Sequence, residues 1–387
     1  MTSTSIAQAV APADQAAVDA IVATLVHHLH KDHPRPSSQS PARRDAHPKH
    51  HGCVGAILEI EPDLPDALCQ GLFATRQPYK AWVRFSNAFN VRHDLERDAR
   101  GMAIKIMGVR DTTHGEGTQD FLLVTHKVFF ARTAADFVDF PAAVAVKGSL
   151  ALATRTIGFF FGLRPFRFKW RGFIALQRSM NRSTSPLVRT YFSQTPYRYG
   201  SREAKFRARP QQHGRPSHWV RLWMRLLVHW LTSLVGRPVK KWENSLRDEL
   251  LEYLRTSEAR FDIEVQLRRD GMPLDDAVVA WSTRRSPYKK VATLRIEALP
   301  NPDIATMTAF GEHLSFTPWH GLAEHEPLGS INLARRRVYD AIASLRHRLN
   351  DVRRREPRAG ESQRDYLRDI ASRFSRSCDS DPAIPPR

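Results

Sequence analysis

The order of hydrophobic and polar positions divides the chain into a helical start, a strand-rich middle and a helical end. Residues 1–32 predict an N-terminal helical arm, and the Pro- and Ser-rich linker HPRPSSQSPARRD follows it. Between residues 51 and 110, apolar runs separated by turn residues predict strands, and so does FLLVTHKVFFA at 121–131. The run AADFVDFPAAVAVKGSLALATRTIGFFFGL predicts a helix.

The second half of the chain repeats the strand pattern and then returns to helix. Strands are predicted at YRYG and AKFRARP (197–210), RFDIEVQLRR, AVVAWS and VATLRIEAL, and residues 329–350 predict a long closing helix. We therefore expect an α+β fold, a large antiparallel barrel or sheet with helices appended to it. The predicted units are the arm at 1–32, a domain at 33–350 with a helical insertion at about 205–245, and a charged, disordered tail at 351–387.

Composition limits the classes of partner. The 387 residues are 42% hydrophobic, which is enough for a large core, and the net charge is +19. That charge suits nucleic acid, anionic lipid or acidic small molecules, but the basic residues are spread along the chain without a Lys/Arg block. We therefore expect no dedicated nucleic-acid partner. The three cysteines form no zinc spacing or CxxC pair, which favours reduced thiols and a cytoplasmic location.

One apolar segment, HWVRLWMRLLVHWLTSLVG at 218–236, differs from this pattern. Arg221, Arg225 and His229 fall every fourth residue and make one polar stripe on a helix. Two central arginines disfavour a membrane span, each costing about 2.5–3.5 kcal/mol. The segment therefore predicts either a helix buried in the protein or at an oligomer interface, or a peripheral lipid contact through residues 219–235.

The closing helix carries a tyrosine four residues after an arginine. On a helix, Arg335 and Tyr339 project from nearly the same face. A guanidinium against a phenol favours the phenolate, a hard anionic oxygen suited to ferric iron and one of the proximal ligands that haem accepts. An ordinary surface cation–π pair is the alternative interpretation.

Two short basic motifs, one before the first strand and one within an early strand, could contact a haem and its peroxide ligand. His47 precedes a strand and could move a proton between the two oxygens of a peroxide, and Arg44 could hold a carboxylate as a fork. Arg84 and Ser86 lie two residues apart, so they share one face of a strand, and Ser86 could fix the tautomer of His47. Taken separately, these pieces also fit a solvated loop and an ordinary half-buried strand.

A run of phenylalanines supplies the remaining surface. Phe129, Phe130, Phe137 and Phe140 offer flat apolar rings of the kind that pack on a porphyrin and keep water away from it. Aromatic residues at this spacing are also typical of an ordinary core.

The order of these pieces resembles the haem catalase family, in its shorter, catalase-related branch. HPKHHGCVG, RFS, DARGMAIK, VFFAR and the R-x-x-x-Y of the closing helix follow one another as in that family. FDIEVQL and VVAWSTRRSPYKKVATLRI match its later strands, and LSFTPWHGLAEHEPLGSIN matches the loop before its proximal helix. The resemblance runs from about residue 30 to 350.

The resemblance implies an eight-stranded antiparallel β-barrel and a haem b cofactor. It implies His47 as the acid/base residue, Ser86 as the residue that orients it, and Tyr339 as the iron ligand. The residues it implies for binding the cofactor are Arg44, Arg84, Phe129, Phe137, Arg335 and Arg346.

The sequence departs from the family where an amide that helps bind peroxide is expected, because Val124 and Thr125 stand there. The hydroxyl of Thr125 is the candidate substitute. The resemblance implies a haem-dependent, catalase-like peroxidase that breaks down hydrogen peroxide or organic hydroperoxides with an organic reductant. Two alternatives stay open: a fatty-acid hydroperoxide isomerase or lyase, and a non-catalytic haem-binding protein. Oligomers are known in the family, and this sequence leaves the oligomeric state open.

Overall fold

The computed structural model describes residues 12–37, 40–88, 94–141, 158–160, 169–211, 223–224, 227 and 243–372. The strands are β1 His50–Ile60, β2 Tyr79–Asn87, β3 Arg100–Met107, β4 Thr118–Val124, β5 Tyr191–Phe192, β6 Tyr197–Tyr199, β7 Arg202–Pro210, β8 Ala259–Leu267 and β9 Lys289–Ile296. The helices are α1 Pro12–Asp32, α2 Ala134–Phe137, α3 Trp170–Ser179, α4 Ser245–Leu254, α5 Ile304–His313, α6 Ser330–Leu349 and α7 Gln363–Ser372. Short 3-10 helices cover Gly71–Ala74, Pro186–Val188 and Ala323–His325.

Eight of the strands form a closed antiparallel barrel. The sheet runs in the order β5-β4-β3-β2-β1-β9-β8-β7-β6, and β5 pairs with β7 as well as with β4, which closes the ring. β6 extends the sheet outside the ring as a hairpin partner of β7. The predicted α+β fold with an eight-stranded antiparallel barrel is confirmed.

Alternation along the strands separates a packed interior from an outer wall. Val83 and Phe85 of β2 point into the barrel core, where they join apolar side chains of β3, β4 and β8. Arg84 and Ser86, between and after them, therefore point outward, as their spacing predicts. This outer wall faces helix α6.

Helices α1, α5 and α6 cover the outer wall. α1 packs along α6, and Asp19 and Arg337 form an exposed ion pair of 2.5 Å between them. α5 packs against β1. The space between the outer wall and helices α1 and α6 is the cavity described below.

Two strand predictions from the sequence are wrong. AVVAWS at 277–282 forms turns rather than a strand, because the Trp281 indole donates to Pro273 O at 2.9 Å and Val279 N donates to Asp276 O at 3.2 Å. Strand β7 extends to Pro210, as the pattern of AKFRARP predicts, and most of the helical insertion predicted at about 205–245 lies outside the described residues. The strand predicted at 121–131 ends at Val124.

The C-terminal segment is ordered through Ser372, contrary to the predicted tail. Tyr366 and Ile370 lie one helical turn apart and are fully buried, and the Tyr366 hydroxyl donates to Arg355 O at 3.1 Å. Arg355 itself forms ion pairs with Glu361 and Asp369, at 2.5 and 2.6 Å. These contacts hold the segment together. Its attachment to the barrel includes Gln363 Nε2, which donates to Cys53 O at 2.9 Å, and the ion pair of Glu356 with Lys105 at 2.5 Å.

Two predicted segments lie largely or wholly outside the described residues. Of the apolar segment at 218–236, the structure describes only Trp223, Met224 and Leu227. Residues 142–157, 161–168 and 373–387 are not described. Within the part that is described, no helix is long and apolar enough to cross a membrane.

Substituting Tyr366 by Ala should remove about 3–5 kcal/mol from the free energy of unfolding, because the ring is fully buried against Phe310, with ring centroids 5.2 Å apart. Urea denaturation of the purified chain measures this loss. Arg368→Ala, which changes a side chain that is 77% exposed on the same helix, is the control. An equal effect of both substitutions would show that α7 is not packed.

Candidate active site

One large cavity gathers nearly all of the predicted site residues. It lies outside the barrel wall, measures about 1590 Å³, and is lined by residues of α1, the loop before β1, β2–β4, α3 and α6. The predicted residues that line it are Arg44, His47, Arg84, Ser86, Phe129, Phe137, Arg335, Tyr339 and Arg346.

His47 is held from several directions. Its Nδ1 lies 2.9 Å from Ser86 Oγ, its backbone N–H donates to Ala88 O at 2.9 Å, and its carbonyl accepts from Arg84 Nη2 at 3.0 Å. The backbone has φ +59°, a left-handed conformation that costs a non-glycine residue about 1–2 kcal/mol. These hydrogen bonds keep the imidazole at the cavity wall despite that cost.

The imidazole of His47 is neutral near pH 7. Burial first, and then the positive charges of Arg84, Arg335 and Arg44, together lower its pKa to about 3. The hydrogen bond to Ser86 occupies Nδ1, so Nε2 is the nitrogen left for a substrate proton.

A row of outward-facing residues crosses three strands beside His47. Ser86 pairs with Gly101, and Gly101 pairs with Val124. A Cβ on Gly101 would lie 2.6 Å from the His47 ring and 2.9 Å from Ser86 Oγ. Glycine is therefore required there for the His47–Ser86 pair to fit against the wall.

Val124 and Thr125 differ in their position relative to the cavity. Val124 ends the row and lines the cavity with an apolar side chain. Thr125 is not among the described residues that line the cavity, and its hydroxyl accepts hydrogen bonds from Asn181 Nδ2 at 3.0 Å and from Arg100 N at 3.2 Å. This position gives no support to Thr125 as a substitute for the family's amide.

Tyr339 lies on the stripe of α6 that faces the cavity, with Arg335, Ile342 and Arg346. Arg335 Nη2 donates to the Tyr339 hydroxyl at 3.2 Å, and Arg335 Nη1 donates to Asn332 Oδ1 at 3.1 Å. The guanidinium is thus fixed against the phenol oxygen, as the i, i+4 spacing predicts. Burial alone would lower the pKa of Arg335, but the phenol oxygens of Tyr339 and Tyr197 outweigh it and raise that pKa.

Three arginines meet at the C-terminal end of α5. Arg44, Arg84 and Arg346, here called the arginine cluster, come from the loop before β1, from β2 and from α6. Their guanidinium groups donate to the carbonyl oxygens of Gly311, Glu312 and Leu314. Arg84 and Arg346 are almost fully buried, and burial lowers the pKa of each.

Glu312 does not line the cavity itself, but it pairs with arginines that do, and sequence reasoning missed it. Its carboxylate lies 3.5 Å from Arg44, 3.5 Å from Arg84 and 3.3 Å from His50. Burial alone would raise its pKa, but the neighbouring arginines outweigh burial and lower the pKa to about 2. A single glutamate in a helix gives no sequence signal, because its partners are distant along the chain.

Phe129 and Phe137 line the cavity together, with ring centroids 5.6 Å apart, as predicted. Ile21, Leu25 and Leu29 of α1 add apolar surface that sequence reasoning did not assign to the site. Among the described residues, no group of three or more His, Cys, Asp or Glu side chains is arranged to hold a metal ion. A single tyrosine ligand would not form such a group.

Comparison with known proteins supports the resemblance. The catalase family model matches residues 26–161. The structure is similar to a fungal catalase (TM-score 0.61, 18% identity, 82% of this chain and 61% of the other), a bacterial catalase (0.57, 14%, 90% and 63%) and catalase A from Saccharomyces cerevisiae (0.59, 15%, 83% and 63%).

The chain therefore has the catalase fold, and the match of the catalase family model to residues 26–161 agrees with the resemblance seen in the sequence. It spans about three-fifths of the length of the solved catalases that it matches. A search of curated protein sequences gave no match.

Replacing Gly101 by Ala should displace the His47 ring and destabilise the fold by about 1–3 kcal/mol, because the new methyl group overlaps both His47 and Ser86. Urea denaturation and the NMR shift of the His47 ring report the two effects. Gly55→Ala is the matched control, since a Cβ there meets only ordinary contacts at 3.6 and 3.7 Å. An unmoved His47 signal in Gly101→Ala would contradict the geometry.

Stability should fall as the pH is lowered from about 6.5. Burial first, with the nearby arginines, lowers the pKa of His47 and His50 to about 3, and burial lowers that of His51 to about 4. The unfolded chain therefore binds more protons than the folded chain between pH 6.5 and these values, so the free energy of unfolding decreases on acidification.

Urea denaturation at pH 7, 6 and 5 tests this dependence. His47→Gln should reduce the slope by up to about 1.4 kcal/mol per pH unit, since it removes one such group. An unchanged slope in this variant would mean that His47 is protonated to the same extent in both states.

Proposed function

We propose that this chain binds haem in the cavity and acts as a catalase-like peroxidase on hydrogen peroxide or organic hydroperoxides. The observation that carries the proposal is the pairing of Tyr339 with Arg335 on one wall of a cavity that also contains His47 held by Ser86. The similarity of the fold to that of solved catalases also supports the proposal.

The charge of the cavity fits haem b. Arg44, Arg84 and Arg346 carry three positive charges against the single carboxylate of Glu312, since His50 is neutral near pH 7. Among the described residues, Nε of Arg346 is buried without a hydrogen-bond partner. An excess of two buried positive charges matches a ligand with two carboxylates, such as the two propionates of a porphyrin.

The apolar part of the cavity fits the rest of the ligand. The rings of Phe129 and Phe137 provide flat surface for a macrocycle, and the Tyr339 oxygen beside Arg335 provides a ligand for iron. Bound haem would supply the iron redox chemistry that cleaves the peroxide O–O bond. Arg335 would hold the Tyr339 oxygen in place by the hydrogen bond that it donates to it, at 3.2 Å.

His47 would move the proton. Its neutral Nε2 would accept the proton of one peroxide oxygen, and the resulting imidazolium would donate that proton to the other oxygen, which would leave as water or an alcohol. Because the surrounding arginines lower the pKa of His47, the imidazolium returns the proton readily. Ser86 fixes the ring so that the same nitrogen serves both steps.

The wall at Val124 favours a peroxidase over rapid disproportionation of hydrogen peroxide. A valine offers no hydrogen bond to orient a second peroxide molecule, whereas an organic reductant does not need that group. The same valine also suits a haem-binding protein without turnover.

The size of the cavity favours organic hydroperoxides as a second class of substrate. About 1590 Å³ exceeds the roughly 300–1,000 Å³ of ordinary small-molecule sites, and Ile21, Leu25 and Leu29 make part of its wall apolar. A fatty-acid hydroperoxide isomerase or lyase is therefore the second candidate. It predicts consumption of such a hydroperoxide without release of oxygen.

Haem titration and peroxide assays on the purified full chain test the proposal. Tyr339→Phe should weaken haem binding and change the visible spectrum, because the phenolate ligand is lost. His47→Ala should keep haem bound and slow peroxide turnover about 10²–10⁴-fold, because the proton acceptor is lost.

Tyr253→Phe is the control for the first variant, since the Tyr253 hydroxyl donates to Glu258 O at 3.4 Å and has no other hydrogen bond among the described residues. A native chain that binds no haem, or a Tyr339→Phe spectrum equal to that of the native chain, would refute the assignment. Bound haem with negligible turnover of hydrogen peroxide and of organic hydroperoxides would favour the non-catalytic alternative.

A further inference from the structure

Glu312 lies between the side chains that would bind the carboxylates of a ligand. Its two oxygens contact Arg44 and Arg84 at 3.5 Å each and His50 at 3.3 Å, and the residue is 6% exposed. Arg346 donates to the Glu312 carbonyl. One residue thus contacts all three members of the arginine cluster, which arrive from separate parts of the fold.

The end of α5 supports this arrangement. The last carbonyl groups of a helix have no partner within the helix and carry a partial negative charge. Gly311 O accepts from Arg44 at 3.1 Å and from Arg84 at 3.3 Å, and Leu314 O accepts from Arg346 at 3.1 Å. These carbonyls satisfy hydrogen bonds of the guanidinium groups but supply no full charge, so Glu312 is the residue that can compensate them.

We propose that Glu312 is the built-in counter-ion of the arginine cluster: it holds the guanidinium groups in position before a ligand arrives, and it competes with ligand carboxylates for them. The second half of this proposal rests on the proposed function, because it requires a ligand with carboxylates in the cavity. With Glu312 present, the cluster has a net charge of two, and a dianionic ligand would neutralise it.

Two consequences follow from linkage. Removing the charge of Glu312 raises the net charge of the arginine cluster from +2 to +3, which destabilises the ligand-free protein. The same change increases the attraction for a dianionic ligand, because the ligand no longer competes with a resident carboxylate. Loss of stability and gain of affinity should therefore occur together, which a merely structural role of Glu312 would not produce.

Glu312→Gln tests both halves with metal-free protoporphyrin IX and with its dimethyl ester, which lacks the two carboxylates. In the absence of porphyrin, the melting temperature should fall by about 5 °C or more. The affinity for protoporphyrin IX, measured by quenching of tryptophan fluorescence, should rise about tenfold. The affinity for the dimethyl ester should stay within about twofold of the native value.

Glu252→Gln, at an exposed position on α4, is the matched control and should change none of these values. A lower affinity of Glu312→Gln for protoporphyrin IX, or equal changes for the two porphyrins, would overturn the competition. An unchanged melting temperature would overturn the positioning role.

The double variant Arg44→Gln/Glu312→Gln decides the case if the single variant does not fold. It restores the net charge of two, so it should fold, with a melting temperature above that of Glu312→Gln. Failure of the double variant to recover stability would overturn the proposal. If the native chain binds neither porphyrin, the proposed function and the competition fail together, whereas the melting temperatures still decide the positioning role.

Discussion

Three guanidinium groups buried at the end of one helix set the geometry of the whole site. Such groups cannot stay buried without acceptors, and the carbonyls and carboxylate at the end of α5 provide them. Because Arg44, Arg84 and Arg346 belong to the loop before β1, to β2 and to α6, this one contact fixes a loop, the barrel wall and a helix relative to one another. The positions of His47 and Tyr339 depend on it.

The same charges act on the chemistry at a distance. Arg84 and Arg44 lower the pKa of His47 in addition to burial, and they lower that of Glu312 as well. The His47 imidazole is thus neutral and the Glu312 carboxylate is ionised near pH 7, and the same arginines contribute to both states. The arginine cluster, which would bind anionic groups at one end of the cavity, therefore also helps to keep the His47 imidazole neutral and able to accept a proton.

The parts of the site that could be predicted from the sequence are those set by local geometry. Arg335 and Tyr339 are four residues apart on a helix, and Arg84 and Ser86 are two apart on a strand, so period alone places each pair on one face. Glu312 and the buried Tyr366 depend on partners far along the chain: Glu312 pairs with Arg44, 268 positions away, and Tyr366 packs against Phe310. The turn at 277–282 was missed because its apolar run resembles a strand, although Trp281 is held by a local hydrogen bond.

The wall beside His47 shows how the barrel accommodates a strained residue. The left-handed backbone of His47 is tolerable because its N–H, its carbonyl and its ring nitrogen each have a partner on β2 or in the segment that follows it. The ring has room because the next strand presents Gly101 rather than a side chain. Register between β2 and β3 places that glycine opposite Ser86, so a shift by one residue would bring Met102 against the imidazole. The catalytic geometry proposed for this chain therefore depends on the same strand pairing that closes the barrel.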